Sequence, residues 1–91
     1  LVERKEYNKA KNRLQSLFQE EKKLLEDIHK EEVHINTILT DMGKKENYSD
    51  SIKITSLIKK KDELEHHHSL LEEKWFCMSD EIEKLKEVVT I

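Results

Sequence analysis

The sequence predicts an all-α fold, an antiparallel two-helix coiled-coil hairpin, on three observations. The chain of 91 residues contains no proline and one glycine, so it has a single strong helix breaker, near its middle. Hydrophobic residues make up 35% and aromatic residues 5%, too few for a thick core but enough for an apolar stripe along a long helix. Charged residues make up 41%, with 17 basic against 20 acidic, a balance typical of helices that pair lengthwise.

The first predicted helix covers about residues 3–42, because an apolar stripe with heptad spacing runs along it. Alternating steps of three and four residues visit Tyr7, Ala10, Leu14, Leu17, Glu21, Leu24, Ile28, Glu31, Ile35, Ile38 and Met42. Three further apolar residues, Phe18, Leu25 and Leu39, each follow a stripe position directly. We expect these three side chains to widen the buried seam of the helix pair.

The predicted tip covers about residues 43–50, where glycine, asparagine, serine and aspartate supply turn and cap chemistry. Gly43 suits the position just past a helix end. Asp50 or Ser51 suits the N-cap of the next helix, since a side-chain oxygen there accepts hydrogen bonds from the first free backbone amides. A loop this short makes the two helices antiparallel.

The second predicted helix covers about residues 51–89 and carries its own stripe. The stripe positions are Ile54, Leu57, Lys61, Leu64, His68, Leu71, Trp75, Met78, Ile82, Leu85 and Val89. Folding about Glu46 pairs Ile38 with Ile54, Glu31 with Lys61, Leu24 with His68, Leu17 with Trp75, Leu14 with Met78 and Ala10 with Ile82. Sliding the helices by one heptad would leave the Lys61 ammonium in the seam without Glu31, which favours the first register.

The first residues and the single cysteine limit the class of protein. The chain begins Leu-Val-Glu-Arg, without an initiator methionine or the apolar core of a signal peptide, so we expect a single hairpin domain from a longer protein. The longest uncharged stretch, residues 33–40, is far below the roughly 20 residues needed to span a bilayer, and no membrane partner is expected. Cys77 has no second cysteine to pair with, which favours a reducing, cytoplasmic location.

We expect no catalytic site and no metal site in these residues. The chain lacks a glycine-rich phosphate loop, and its thiol and hydroxyl groups have no base at a recognisable spacing. The Glu-x-x-His spacing of di-iron bundles occurs at Glu31/His34 and Glu63/His66. Consecutive helical residues point about 100° apart, however, so the histidines at 66–68 cannot converge on one ion. We expect His66 and His67 in solvent, His68 in the seam as a polar core residue, and Trp75 as a core plug rather than a stacking platform.

Charge is distributed unevenly along the chain, and the middle is basic. The basic residues of the segment 41–61 are Lys44, Lys45, Lys53, Lys59, Lys60 and Lys61, and its acidic residues are Asp41, Glu46 and Asp50. In residues 62–91 the acidic residues outnumber the lysines. Positive charge at one end of a hairpin suits contact with phosphates, while the net charge of −3 argues against wrapping nucleic acid along the shaft.

The predicted contact residues are Lys44, Lys45, Lys53, Lys59, Lys60 and Tyr48; Lys61 is assigned to the seam instead. Two alternatives remain open for this segment. In the first, the lysines only keep the tip soluble; in the second, Tyr48 either folds back onto the start of the second helix or stands out as a contact residue.

The second half of the chain resembles a known family. The residues that carry the resemblance are Asn47-Tyr48-Ser49-Asp50, Ile52-Lys53-Ile54, Lys61-Asp62-Glu63-Leu64-Glu65 and Leu71-Glu72-Glu73-Lys74-Trp75. They resemble the C-terminal coiled-coil domain of ABC-F family ATPases of the Uup type, a helical hairpin that follows the second nucleotide-binding domain. The chain lacks the Asp-Pro that commonly precedes the tip tyrosine in that family, and Lys74 stands where the family often has arginine.

The resemblance implies a non-catalytic accessory arm of a cytosolic ATPase that acts on ribosomes or nucleic acid, with a link to DNA binding in the Uup branch. It places the ATP cofactor in the parent protein and none in this domain. We therefore expect a non-enzymatic, monomeric hairpin that contacts ribosomal RNA or DNA through its basic tip. The competing hypothesis is a protein–protein interaction or spacer coiled coil without a nucleic-acid role.

Overall fold

The computed structural model describes residues 2–90, which form three helices. Helix α1 spans Val2–Met42, α2 is a single turn at Lys45–Tyr48, and α3 spans Ser51–Thr90. The two long helices pack against each other as an antiparallel hairpin, and no strand occurs among the described residues. The predicted fold class is confirmed, and the predicted ends of both long helices agree with the structure to within one residue. The short helix α2 inside the tip was not predicted.

The chain divides into two compact units, which we describe separately. We call Leu1–Glu26 with Glu73–Ile91 the terminal unit and Asp27–Glu72 the tip unit. The buried apolar residues of the terminal unit are Ala10, Leu14, Leu17, Leu24, Met78 and Ile82. In the tip unit Ile38 is buried, while the stripe residues of α3 in this unit are half-buried. All seven buried residues occupy predicted stripe positions, so the heptad pattern correctly identified the core.

The predicted widening of the seam does not occur. Phe18 and Leu25 in the terminal unit are both 43% exposed, and Leu39 in the tip unit is 46% exposed. A single partner helix covers the stripe positions that face it, but it reaches only part of the residue that follows each stripe position. These three side chains are therefore partly exposed apolar surface rather than core.

The helix register in the tip unit also differs from the predicted one. The predicted pair of Glu31 with Lys61 is absent from the described residues, and Oε1 of Glu31 instead contacts Nδ1 of His67, six residues farther along α3. Ile38, predicted opposite Ile54, lines the same surface recess as Leu64. Both observations fit helices slid by about one heptad, which is the register that the sequence argument rejected.

In the terminal unit one contact departs from the predicted register and another lies close to it. Nζ of Lys86 lies 5.8 Å from the centre of the Phe18 ring, although the predicted register placed the neighbouring Leu17 beside Trp75. Eleven residues separate Trp75 from Lys86, or about 16 Å along a helix. On the other side of the seam, Nε of Arg13 lies 3.1 Å from Oε1 of Glu81, and this hydrogen bond raises the pKa of Arg13 above its usual value.

The reason for the wrong register lies in Lys61. The predicted register rested on a buried Lys61 ammonium with Glu31 as its ion-pair partner. The side chain is 24% exposed, and its Nζ lies 3.6 Å from Oδ1 of Asp62 and 3.8 Å from Oε1 of Glu65, both on its own helix. A lysine packs its methylene groups against an apolar seam while its charge reaches water and local carboxylates. The cost assigned to the slid register therefore does not arise.

Backbone and side-chain hydrogen bonds define the tip between α1 and α3. The N–H of Gly43 donates to the carbonyl of Leu39 at 3.2 Å, and Nδ2 of Asn47 donates to the carbonyl of Asp41 at 2.7 Å, so these two carbonyls in the last turn of α1 have partners. Oδ1 of Asp50 accepts from the N–H of Ile52 at 3.0 Å and of Lys53 at 3.2 Å. Of the two predicted N-caps, Asp50 is the one that caps α3.

Replacing Gly43 by alanine is expected to raise the free energy of unfolding by about 0.5 kcal/mol, measured by urea denaturation. Gly43 follows the last residue of α1, as predicted, but no described residue has a positive φ, so a side chain meets no backbone strain there. An added Cβ would lie 3.4 Å from the carbonyl oxygen of Thr40, an ordinary contact. A loss above about 1 kcal/mol would indicate that Gly43 adopts the left-handed conformation in solution.

Candidate nucleic-acid interface

The five lysines predicted to contact nucleic acid all lie in the tip unit. Lys44 precedes α2, Lys45 is the first residue of α2, and Lys53 lies in the first turn of α3. Lys59 and Lys60 follow about two turns later on α3. All five residues are exposed, so each ammonium is accessible to a ligand.

Two of the three acidic residues around the chain reversal make contacts with neighbouring residues. Oδ1 of Asp41 lies 3.2 Å from Nζ of Lys44, and Oδ1 of Asp50 accepts two backbone hydrogen bonds as the cap of α3. The contact with Asp41 partly neutralises the charge of Lys44. Glu46, an exposed residue of α2, is the remaining acid of this segment.

Four of the predicted lysines keep their charge free of ion pairs. They are Lys45, Lys53, Lys59 and Lys60, none of which has an acidic partner within 4.0 Å in the described part of the chain. Lys60 nevertheless shares a recess with Glu31 and Glu63, and the carboxylates of these residues make that position less attractive to an anion. Among the described residues, Lys45, Lys53 and Lys59 are therefore the predicted contact lysines that have no ion pair and lie outside the recess of Glu31 and Glu63.

Two apolar side chains stand out among these lysines. Tyr48, at the end of α2, is 55% exposed, which agrees with the alternative that it stands out rather than folds back. Ile52, the second residue of α3, is 81% exposed, more than any other large hydrophobic side chain described. Sequence reasoning missed Ile52 as a surface residue of interest. The signal was present, since Ile52 lies outside the heptad stripe that begins at Ile54.

A shallow recess lies beside these residues within the tip unit. Its lining residues are Asp41, Asn47, Ile52, Lys53, Ser56 and Leu57. The recess combines an apolar wall with an amide and an ammonium, and it is open to solvent.

Two of the five histidines, His67 and His68, have carboxylate partners in the part of the chain that the structure describes. Nε2 of His68 lies 3.2 Å from Oε1 of Glu32, and its Nδ1 lies 2.9 Å from Oε1 of Glu72. The His68 side chain is 16% exposed, which confirms that it packs into the seam as a polar residue. His66 and His67 are exposed as expected, although His67 contacts Glu31. Among residues 2–90, no group of three or more His, Cys, Asp or Glu side chains is placed to hold a metal ion.

Trp75, in the terminal unit, is half-buried. Its Nε1 is buried without a hydrogen-bond partner among the described residues, and its ring centre lies 5.3 Å from that of Phe76 at an interplanar angle of 59°. The indole is therefore partly covered, although Trp75 does not belong to the fully buried core in which it was expected. Cys77, which follows in the same helix, is a free and exposed thiol.

Comparisons with known proteins do not assign a family. No protein-family model, no curated protein and no solved structure matches this chain. In the described part of the chain, no helix is long and apolar enough to cross a membrane.

Proposed function

We propose that this hairpin is a non-catalytic nucleic-acid-binding arm whose basic tip contacts the phosphates of RNA or DNA. The observation that supports the proposal is the group of exposed lysines without ion-pair partners, Lys45, Lys53 and Lys59, on a tip whose acids Asp41 and Asp50 are held in local contacts. An ammonium without a carboxylate partner exchanges only water and salt ions for a phosphate, so its contact with the phosphate is not offset by the loss of an ion pair.

Within this proposal, the arm belongs to an ABC-F ATPase of the Uup type and contacts ribosomal RNA or DNA in the cytoplasm. The support is the resemblance of the tip and of the second helix, including Tyr48 and Trp75, to the C-terminal hairpin of that family. ATP would then be bound and hydrolysed elsewhere in the parent protein. Two ATP-binding cassettes encoded ahead of Leu1 are the result this placement expects, and their absence from the gene would contradict it.

A protein–protein interaction arm is the second candidate, and one observation favours it. Phe18, Leu25 and Leu39 are between 43% and 46% exposed on α1, and exposed apolar side chains are surface that a protein partner can cover. A hairpin of this class would bind through the shaft and would not require the lysines of the tip.

Charge reversal at the tip distinguishes the two candidates. Labelled RNA and labelled duplex DNA are titrated with the 91-residue chain at two salt concentrations. We expect weak, sequence-tolerant binding that falls about 40-fold between 50 and 200 mM salt if three phosphates are contacted. Replacing Lys45 and Lys53 together by glutamate is expected to abolish binding, because two attractive contacts become repulsive.

The matched control replaces Lys22 and Lys23 by glutamate, which changes the net charge by the same amount. Both residues are exposed on α1 in the terminal unit and have no ion pair among the described residues. We expect affinity within about threefold of the unaltered chain. Circular dichroism confirms that both variants remain helical. Absence of binding by the unaltered chain at the lower salt concentration would refute the nucleic-acid proposal and leave the protein-interaction candidate.

A further inference from the structure

Tyr48 and Ile52 present apolar surface to solvent within a short segment of the tip. They are 55% and 81% exposed, and neither packs into the seam between α1 and α3. The hydroxyl of Tyr48 has no hydrogen-bond partner among the described residues, so the hairpin does not use this group to stabilise itself. The hairpin leaves this apolar surface in water, and a bound molecule that covered it would lower the free energy.

The surroundings of this apolar pair are basic. Lys45 lies one helical turn before Tyr48 in α2, and Lys53 follows Ile52 directly. Asp50 lies between the two apolar residues in the sequence, but its carboxylate accepts the amides of Ile52 and Lys53 as the cap of α3. A ligand at this surface therefore meets a ring, a branched aliphatic side chain and two unpaired ammonium groups, with the exposed carboxylate of Glu46 as the one described acid beside them that is not held in a local contact.

From this arrangement we infer that the tip binds unpaired nucleobases, with Tyr48 stacking on a base, Ile52 packing beside it, and Lys45 and Lys53 contacting the adjoining phosphates. The inference rests on the proposed function and narrows it to single-stranded segments, loops or ends of RNA or DNA. In a duplex the base faces are already stacked on one another, so a tyrosine on a protein surface reaches only the backbone and the groove edges. Every base offers a face to an aromatic ring, so recognition is sequence-tolerant.

The test uses three labelled probes of equal length: a single strand without self-complementarity, its duplex, and an abasic strand with the same phosphates. Binding of the 91-residue chain is measured by fluorescence anisotropy at low salt. We expect the single strand to bind about tenfold more tightly than the abasic strand, within the range that one stacked base contributes.

Substitutions at the two apolar residues locate the effect. Tyr48→Ala is expected to weaken single-strand binding about tenfold and duplex binding less than twofold, because only the stacking contact is lost. Tyr48→Phe keeps the ring and is expected to bind the single strand normally, and Ile52→Ala is expected to weaken it about threefold. Both residues are exposed, so the variants should retain the helicity of the unaltered chain, which circular dichroism verifies.

Three outcomes would overturn the inference. If the intact and abasic strands bind equally and Tyr48→Ala changes neither, the lysine–phosphate function stands without base stacking. If Tyr48→Ala weakens all three probes equally, the tyrosine supports the tip rather than a base. If no probe binds the unaltered chain at low salt, the proposed function itself fails, and base recognition fails with it.

Discussion

Replacing Leu17 by alanine is expected to lower the free energy of unfolding by about 3 kcal/mol, the largest effect of any single truncation we predict. Leu17 is 1% exposed, the most buried side chain described, and it lies in the unit that contains six of the seven buried apolar residues. Alanine at this position buries less apolar area than leucine. It also leaves a cavity that two helices cannot readily close.

For a domain of this size, a loss of about 3 kcal/mol corresponds to a melting temperature lower by roughly 12 to 24 °C. Thermal and urea unfolding followed by circular dichroism measure both quantities. Leu25→Ala is the matched control, because it removes the same atoms from a side chain that is 43% exposed, and we expect it to cost no more than about 1 kcal/mol. Equal losses for the two variants would show that Leu25 is covered in solution, as the sequence-based seam required.

Replacing Glu31 by leucine is expected to stabilise the hairpin by about 1 to 2 kcal/mol. The side chain is only 15% exposed, and its Oε2 is buried without a hydrogen-bond partner in the described part of the chain. The carboxylate is therefore poorly compensated for the water it loses. Leucine fills the same stripe position without that cost, and His67, whose side chain is 60% exposed, remains solvated after its partner is removed.

Glu32→Leu provides the control for this variant. The side chain of Glu32 is 53% exposed and contacts His68, so leucine there buries little and removes a hydrogen-bonding contact. We expect no gain in melting temperature. If Glu31→Leu instead destabilised the hairpin by several kcal/mol, Glu31 would have a satisfied partner in solution, as the predicted pairing with Lys61 required.

The fold and the identity of the buried residues were predictable because both follow from spacing. A repeat of three and four residues keeps one face of a helix apolar, and Leu14, Leu17 and Ile82 lie on that face whichever register the helices adopt. The register was not predictable from the same spacing, since a slide of one heptad keeps the stripe of each helix facing its partner. It depends on how individual polar side chains such as Lys61 find local partners, which the pattern of residue types does not contain.

The candidate site was predictable in its charge but not in its details. Lysines in the turn segment, such as Lys45 and Lys53, are exposed because burying a charged ammonium group costs free energy. The pairing of Lys44 with Asp41 depends on how α1 ends, which requires three-dimensional coordinates. The exposure of Ile52, by contrast, follows from its place outside the heptad stripe of α3.

The hydrogen bonds that close the tip also bear on how strongly it can bind. The N–H groups of Asn47 and Tyr48 both donate to the carbonyl of Lys44, at 2.9 and 3.0 Å, and the amide of Asn47 holds the end of α1. The backbone that carries Lys45, Tyr48 and Lys53 is thus already ordered before any ligand arrives. Besides the translational and rotational freedom that any association loses, binding then costs side-chain rotamer entropy, whereas a flexible loop would also lose backbone freedom of about 1 to 2 kcal/mol per residue. Pre-organisation of this kind allows a contact surface of only a few side chains to bind measurably.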